Sequence, residues 1–284
     1  TSPEGIDQLR KRSVMVQAAI LSVPLPPEVD QAVRSAYRAI CKENEDDMTP
    51  VAVRSSAAGE DSRKKAFAGL QDTFLNMVGE DHVAEAYSWD CASGYNLRFM
   101  TERRETILDA MTKAEELGDE SIGEQAKKDW AIEGTSLSVC IMQMVRPVVS
   151  GTAFAADTAT GCRGTDRKDL VSIDASYGLG EAVVGGKVTP DKAYVFTRDD
   201  GSPVVIRQMG CKDMKIVYDD RGGTKEVKVP ELEALRWALS LSQAETVAKG
   251  VRAISKQYGG IIMDTEFCID AHDKLWFVQA RPET

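Results

Sequence analysis

Two stretches of the chain place residues that could handle phosphate. In 51–76, VAVRSSAAGEDSRKKAFAGLQDTFLN, a short β-type run delivers Arg54, Ser55 and Ser56 at its end, and Gly69 follows after a polar segment. A guanidinium fork matches phosphate oxygens, and glycine lets backbone N–H groups approach an anion closely. A turn carrying a solvated arginine is the other reading of the same residues. In 263–267, MDTEF, strand alternation puts Asp264 and Glu266 on one face, while Gln279 and Arg281 share a face of the next candidate strand. If the hairpin register aligns them, carboxylate and amide oxygens stand beside a guanidinium. That donor set suits Mg²⁺ and a polyphosphate. Ordinary ion pairs on a solvated hairpin face would have the same pattern.

Two further segments are less specific. Gly178-Leu179-Gly180-Glu181 lacks the Lys-Ser/Thr ending of a P-loop and the full glycine pattern of a dinucleotide fold, which excludes both motifs. It reads as a tight strand-to-helix turn, or as one that brings Glu181 near a ribose hydroxyl or metal. Gln143, Met144 and Val145 could be a hinge whose backbone pairs with an adenine edge; core packing of Met142 and Met144 is the alternative. The six cysteines, at 41, 91, 140, 162, 211 and 268, form no CxxC pair, and only His82 and His272 could add imidazole, which argues against a zinc cluster. Free thiols fit a reducing cytoplasm. His82 stands at a helix start and His272 in the polar turn 270–274, so histidine chemistry would have to come from another polypeptide or domain.

These residues need elements to position them. Helical periodicity spans 5–20 and is stopped by the prolines of 23–27; a second helix from Glu28 has an apolar face of Val29, Ala32, Val33, Ala36, Tyr37 and Ile40. Strands are expected at 51–53 and 74–78, then one helix over 82–99 with Trp89 and Cys91 extending its apolar contact. The charged stretch 101–130 reads as helical, interrupted at Gly118 and Gly123. Composition changes at Gly134: 137–144 is a nearly continuous apolar strand suited to a covered sheet. Short strands follow at 151–155, 170–174, 193–196, 204–207 and 215–218, with hairpin turns at 199–201 and 219–223. A last helix begins at 241–242 with a capping box over Ser242–Glu245 and a face of Val247, Val251, Ile254 and Tyr258, before a terminal hairpin of 261–269 and 275–279. The arrangement is α+β, with an N-terminal helical and phosphate-loop portion in 1–133 and a second portion in 134–284.

The chain of 284 residues has a net charge of −10, which argues against an extended nucleic-acid surface. No apolar run approaches 18 residues and no hydrophobic targeting region follows the opening TSPEGIDQLRKR, so neither a membrane span nor a secretory signal is visible, and a cytoplasmic location is expected.

Taken in order, VAVRSSAAGED, AFAGLQDTFLN, IMQMV, DASYGLGE with VTPDKAYVF, and MDTEF with VQARPET closely resemble the ATP-binding domain of phosphoenolpyruvate synthase and pyruvate phosphate dikinase. The resemblance runs from the PLPPEV segment to the terminus. It implies an ATP-grasp-like fold, ATP and Mg²⁺ as cofactors, and transfer of the β-phosphoryl group of ATP to a histidine on a separate swivelling domain, with a further pyruvate-binding domain. By the same resemblance Arg54 is a phosphate-contacting arginine, and Gly69, Leu70 and Gln71 form the glycine loop over the phosphates. Gln143, Met144 and Val145 make the adenine connection, and Glu181 approaches the ribose. Glu266 and Gln279 hold Mg²⁺, and Arg281 is the second phosphate arginine. The family's GGKGANL-like segment, whose lysine contacts the phosphates, is not in this sequence, so a domain truncated at its N-terminus is expected. Lys64 and Lys65 have no spacing that makes either a replacement. The acceptor could also differ, as in phenylphosphate synthase or rifampicin phosphotransferase, or the module could be a degenerate, non-catalytic nucleotide binder.

Overall fold

A computed structural model describes residues 3–57, 61–62, 65–66, 72–129, 137–156, 169–198 and 200–283. They form two compact units, Thr1–Met144 and Val145–Thr284.

In the first unit, helices α1 (Pro3–Leu21) and α2 (Pro27–Glu43) are separated at the proline run, and Pro27 opens α2, where its missing N–H costs nothing. The strands are β1 (Val51–Ala57), the two-residue pair β2 (Asp61–Ser62) and β3 (Lys65–Ala66), β4 (Thr73–Met77) and β5 (Leu137–Gln143). Between β4 and β5 come α3 (Glu80–Ser93), α4 (Leu97–Leu117) and α5 (Glu120–Asp129). β1 is the centre of a three-stranded antiparallel sheet ordered β4-β1-β5. Its Val51 and Val53 pack with Val33, Tyr37 and Cys41 of α2 and Val83, Ala84 and Ala86 of α3. Tyr37 is buried but keeps a partner, because its hydroxyl accepts from the Gly79 amide at 2.8 Å.

Several sequence expectations change here. The helix expected over 82–99 is two helices: Asn96 caps α4, its side chain accepting from the Phe99 amide, and a capped start competes with a continued helix. Trp89 points outward, 46% exposed. Gly118 does end α4, in a left-handed cap, but Gly123 lies inside α5, where its small size faces Met111 and Ala114. β5 is an edge strand whose burial alternates, with Ser138, Cys140 and Gln143 exposed, so it is not covered on both faces. On α2 the buried stripe is Val33, Tyr37 and Cys41, while Ala32 and Ala36 are exposed.

The second unit comprises β6 (Pro147–Phe154), β7 (Val171–Tyr177), α6 (Glu181–Val184), β8 (Asp191–Thr197), β9 (Pro203–Gln208), β10 (Met214–Tyr218), β11 (Thr224–Lys228), α7 (Glu231–Ala234), α8 (Leu241–Gln257), β12 (Met263–Asp270) and β13 (Leu275–Pro282). Six strands make an antiparallel sheet ordered β13-β12-β6-β7-β8-β9, and β10 and β11 form a separate hairpin. One face of the sheet carries Val149, Ala153, Ile173, Ala175, Ala193, Val195, Phe267 and Ile269. These pack with Ala244, Val247, Ala248 and Val251 of α8. The capping box of α8 lies two residues earlier than expected: Ser240 accepts from the Gln243 amide, and Gln243 Oε1 accepts from the Ser240 amide. Tyr258 is 53% exposed and does not join the apolar face. Among the described residues no helix is long and apolar enough to cross a membrane.

Candidate functional site

The register of the terminal hairpin pairs its polar residues across the two strands. Asp264 pairs with Arg281 and Glu266 with Gln279 across β12 and β13. Arg281 donates through both Nε and Nη2 to Asp264 Oδ2, at 2.8 and 2.7 Å, which fixes the plane of the guanidinium. Asp264 Oδ1 is buried and has no hydrogen-bond partner among the described residues.

Directly paired residues of antiparallel strands share a face. Pairing across the sheet therefore continues the row from Gln279 and Glu266 through Thr152, Asp174 and Lys192 to Gln208. This face is opposite the apolar one that packs on α8. Asp174 and Lys192 form an ion pair at 3.1 Å within the row. Thr152, Asp174 and Lys192 were not singled out from the sequence. Each is a polar residue at an alternating strand position, but only strand order puts them in line with Glu266. Burial, with Asp270 adding to it, pushes the Cys268 thiol on this face up to about 11, so it stays neutral. Burial and the Asp264 charge raise the Glu283 carboxyl, against the pull of Arg281.

At the other end of the polar face, Cys268, Ser150 and Ser176 pair in line, and a Cβ on Gly180 would lie 3.6 Å from that of Ser150. The GLGE turn thus packs over Ser150. Its backbone is set by β10: the Leu179 amide donates to the Ile216 carbonyl at 2.9 Å, and Gly178 adopts φ +75 with that same carbonyl only 2.4 Å from where a Cβ would stand. Glu181 follows with a half-buried side chain held at both oxygens. Thr224 Oγ1 donates to Oε2 at 3.1 Å, and Lys187 Nζ lies 3.5 Å from Oε1 while it also binds Glu226 at 3.0 Å.

β10 holds a second candidate element. The Tyr218 hydroxyl donates to the Val145 carbonyl, and the Arg146 guanidinium lies 5.5 Å from the Tyr218 ring centre. Burial raises the Tyr218 hydroxyl far above its ordinary pKa, Arg146 opposing, so it acts as a neutral donor. The position of β10 depends in turn on Lys212, fully buried two residues before it and paired with Asp191. Asp191 also accepts from the Gly210 and Ala238 amides, at 2.8 and 2.7 Å.

In the first unit Arg54 is half-buried on the central strand, paired with Thr73 on one side and Cys140 on the other. Gln143 is exposed at the end of β5 and its amide donates to Asn44 Oδ1. The Met144 amide donates to the Pro50 carbonyl at 2.9 Å, and its sulfur accepts from the Asn76 amide. Gly69, Leu70 and Gln71 lie outside the described residues. The two histidines are exposed: His82 Nδ1 bonds the Val78 carbonyl at 2.8 Å and His272 sits in the β12–β13 turn.

The family described as pyruvate phosphate dikinase, AMP/ATP-binding domain, matches residues 1–284. The phosphoenolpyruvate synthase of Pseudomonas aeruginosa is 34% identical over 291 residues, covering 99% of this chain and 33% of that protein. That of Escherichia coli is 33% identical over 296 residues, covering 100% of this chain and 33% of that protein. The rifampicin phosphotransferase of Streptomyces sviceus is 31% identical over 283 residues, covering 100% and 28% respectively. The chain spans about a third of the length of the phosphoenolpyruvate synthases it matches. With the whole sequence inside the family match and the relatives aligned over nearly all of it, the chain belongs to the pyruvate phosphate dikinase AMP/ATP-binding domain family.

Proposed function

We propose that this chain is the ATP-binding portion of a phosphoenolpyruvate synthase-like dikinase, with an ATP-grasp-like fold, which passes the β-phosphoryl group of ATP to a histidine on a separate swivelling domain. The observation that carries the reading is the hairpin register, which pairs Glu266 with Gln279 and, one pleat away, Arg281 with Asp264. Glu266 and Gln279 supply two oxygen donors of the kind Mg²⁺ takes, leaving water and phosphate oxygens to complete six-coordination. When bound there, Mg²⁺ would neutralise phosphate charge. The portion before residue 134 would contribute Arg54 and the segment of Gly69, Leu70 and Gln71 to the phosphates. The remainder would contribute Gln143 to Val145 for the base, Glu181 for the ribose, and the hairpin.

Because the Met144 amide and the Val145 carbonyl are bonded to Pro50 and Tyr218, an adenine edge is best served by the Met144 carbonyl and the Val145 amide. Arg281 and Arg54 would stabilise charge on the transferring group and hold it in line for an incoming imidazole. In this reading the acceptor histidine lies on another domain or subunit. A pyruvate-binding domain and a cytoplasmic location complete the reading.

The relationship to rifampicin phosphotransferase supports a second version, in which the same ATP half-reaction serves a different final acceptor. Calorimetric titration of the chain with ATP, with and without Mg²⁺, tests the common part. One saturable site strengthened by Mg²⁺ is expected, and a folded chain that binds no ATP would refute it. Adding pyruvate or rifampicin to the full-length protein with ATP separates the two versions.

A further inference from the structure

Building on the assignment of Glu181 to the ribose edge, we infer that Thr224 and Lys187 position the Glu181 carboxylate and thereby set a preference for a ribonucleotide over its 2′-deoxy counterpart. A glutamate has three side-chain torsions, and at 38% exposure few neighbours restrain this one. Here each carboxylate oxygen is held by a different element. Oε2 accepts from Thr224 at the start of β11, and Oε1 faces Lys187 in the turn after α6. Each oxygen can accept two hydrogen bonds, so a carboxylate with one donor on each retains capacity for a pair of vicinal hydroxyls.

The clamp is itself anchored. Thr224 pairs with Tyr218 across the β10–β11 hairpin, and β10 sets the GLGE backbone through the Ile216 carbonyl. Lys187 reaches from the turn to Glu226 on that hairpin, so one ammonium joins two carboxylates from two elements. Hydrogen bonding to Glu226 and the charge of Glu181 raise the Lys187 pKa, which keeps the ammonium charged. A site built to hydrogen-bond a hydroxyl discriminates against the analogue lacking it, provided the acceptor is held where the hydroxyl will be.

The test is calorimetric comparison of ATP and 2′-dATP, both with Mg²⁺, for the wild-type chain and the variants Glu181→Ala, Thr224→Val, Thr224→Ser, Lys187→Met and Lys225→Met. Lys225 is the control, paired with Asp219 on the same hairpin. Wild type should prefer ATP by about tenfold, the worth of one charge-assisted hydrogen bond, and Glu181→Ala should abolish the preference. Thr224→Val and Lys187→Met should each lose most of it, weakening ATP clearly more than dATP, which keeps only the 3′-hydroxyl. Thr224→Ser, which keeps the hydroxyl, and Lys225→Met should retain it. No ATP preference in wild type, or an undiminished one in Glu181→Ala, overturns the ribose assignment and this inference with it, as does failure to bind either nucleotide. Loss of preference in Glu181→Ala with full preference in Thr224→Val and Lys187→Met overturns the positioning role alone. Equal weakening of both nucleotides in those two variants does the same, since that is what a merely structural role would give.

Discussion

Replacing Asp191 with alanine should destabilise the second unit by about 3–5 kcal/mol, the cost of breaking a buried pair by removing one partner. Lys212 is 0% exposed and the Asp191 side chain 6%, so the ammonium left behind has no route to water without opening the structure. The Gly210 and Ala238 amides lose their acceptor at the same time. Each orphaned buried group costs about 1–3 kcal/mol before relaxation, which reaches the same range. Lys212→Met should cost less, because the carboxylate keeps two backbone N–H donors. The double variant Asp191→Asn/Lys212→Met removes both buried charges but sets the Asn NH2 group against the Gly210 or the Ala238 amide, so it should recover only part of the loss.

The assay is urea unfolding followed by the fluorescence of Trp237 and Trp276 in variants whose other tryptophans, Trp89 and Trp130, are phenylalanine. The readout is then confined to the second unit, as a chain of two units need not unfold in one step. A loss below about 1 kcal/mol for Asp191→Ala, or a double variant no more stable than that single one, would refute the argument that this pair is desolvated and mutually dependent. Since β10 also holds the GLGE turn and Val145, the same variant should weaken ATP binding in step with its loss of stability.

Arg281→Ala and Arg54→Ala should each weaken ATP binding by about tenfold or more, and Arg281→Lys should not restore it, because an ammonium cannot reproduce the two-point contact with Asp264. Glu266→Ala should leave ATP binding nearly indifferent to Mg²⁺ in the same titrations; an unchanged Mg²⁺ dependence would refute its role as a ligand. Gly178→Ala should lower the midpoint of thermal unfolding, since its Cβ would stand 2.4 Å from the Ile216 carbonyl at a φ of +75. Asp270 accepts from the Trp276 indole first and then from the Lys274 and His272 amides, which hold its carboxyl below the ordinary range. Its contribution is present above the unfolded carboxylate pKa and lost as pH falls through the lower folded value. Asp270→Asn should therefore flatten part of the acid limb of the stability curve.

Local signals found most elements because propensity and periodicity act over a few residues. The proline run separated α1 from α2, and polar turns marked the β8–β9, β10–β11 and β12–β13 hairpins. Errors fell where two local signals compete or where packing decides. Asn96 could continue a helix or cap one; Ser240 and Ser242 both stand three residues before a suitable partner; Trp89 has the spacing of a core residue but faces outward. The apolar run in 137–144 suggests a strand buried on both faces, but only sheet order shows that it lies at an edge.

Strand period and order along the chain placed Asp264 with Glu266 and Gln279 with Arg281, because alternation is a property of the backbone. The order of the motifs identified the family. Tertiary structure decided the rest. It brought Glu266 opposite Gln279 and Arg281 opposite Asp264, and it ran the polar row on through Thr152, Asp174 and Lys192. It enclosed Lys212 with Asp191 and joined Glu181 to Thr224 and Lys187. Those contacts depend on which distant strands become neighbours. That choice minimises exposed apolar surface and unpaired backbone over the whole chain, so it is not encoded in any short stretch of it.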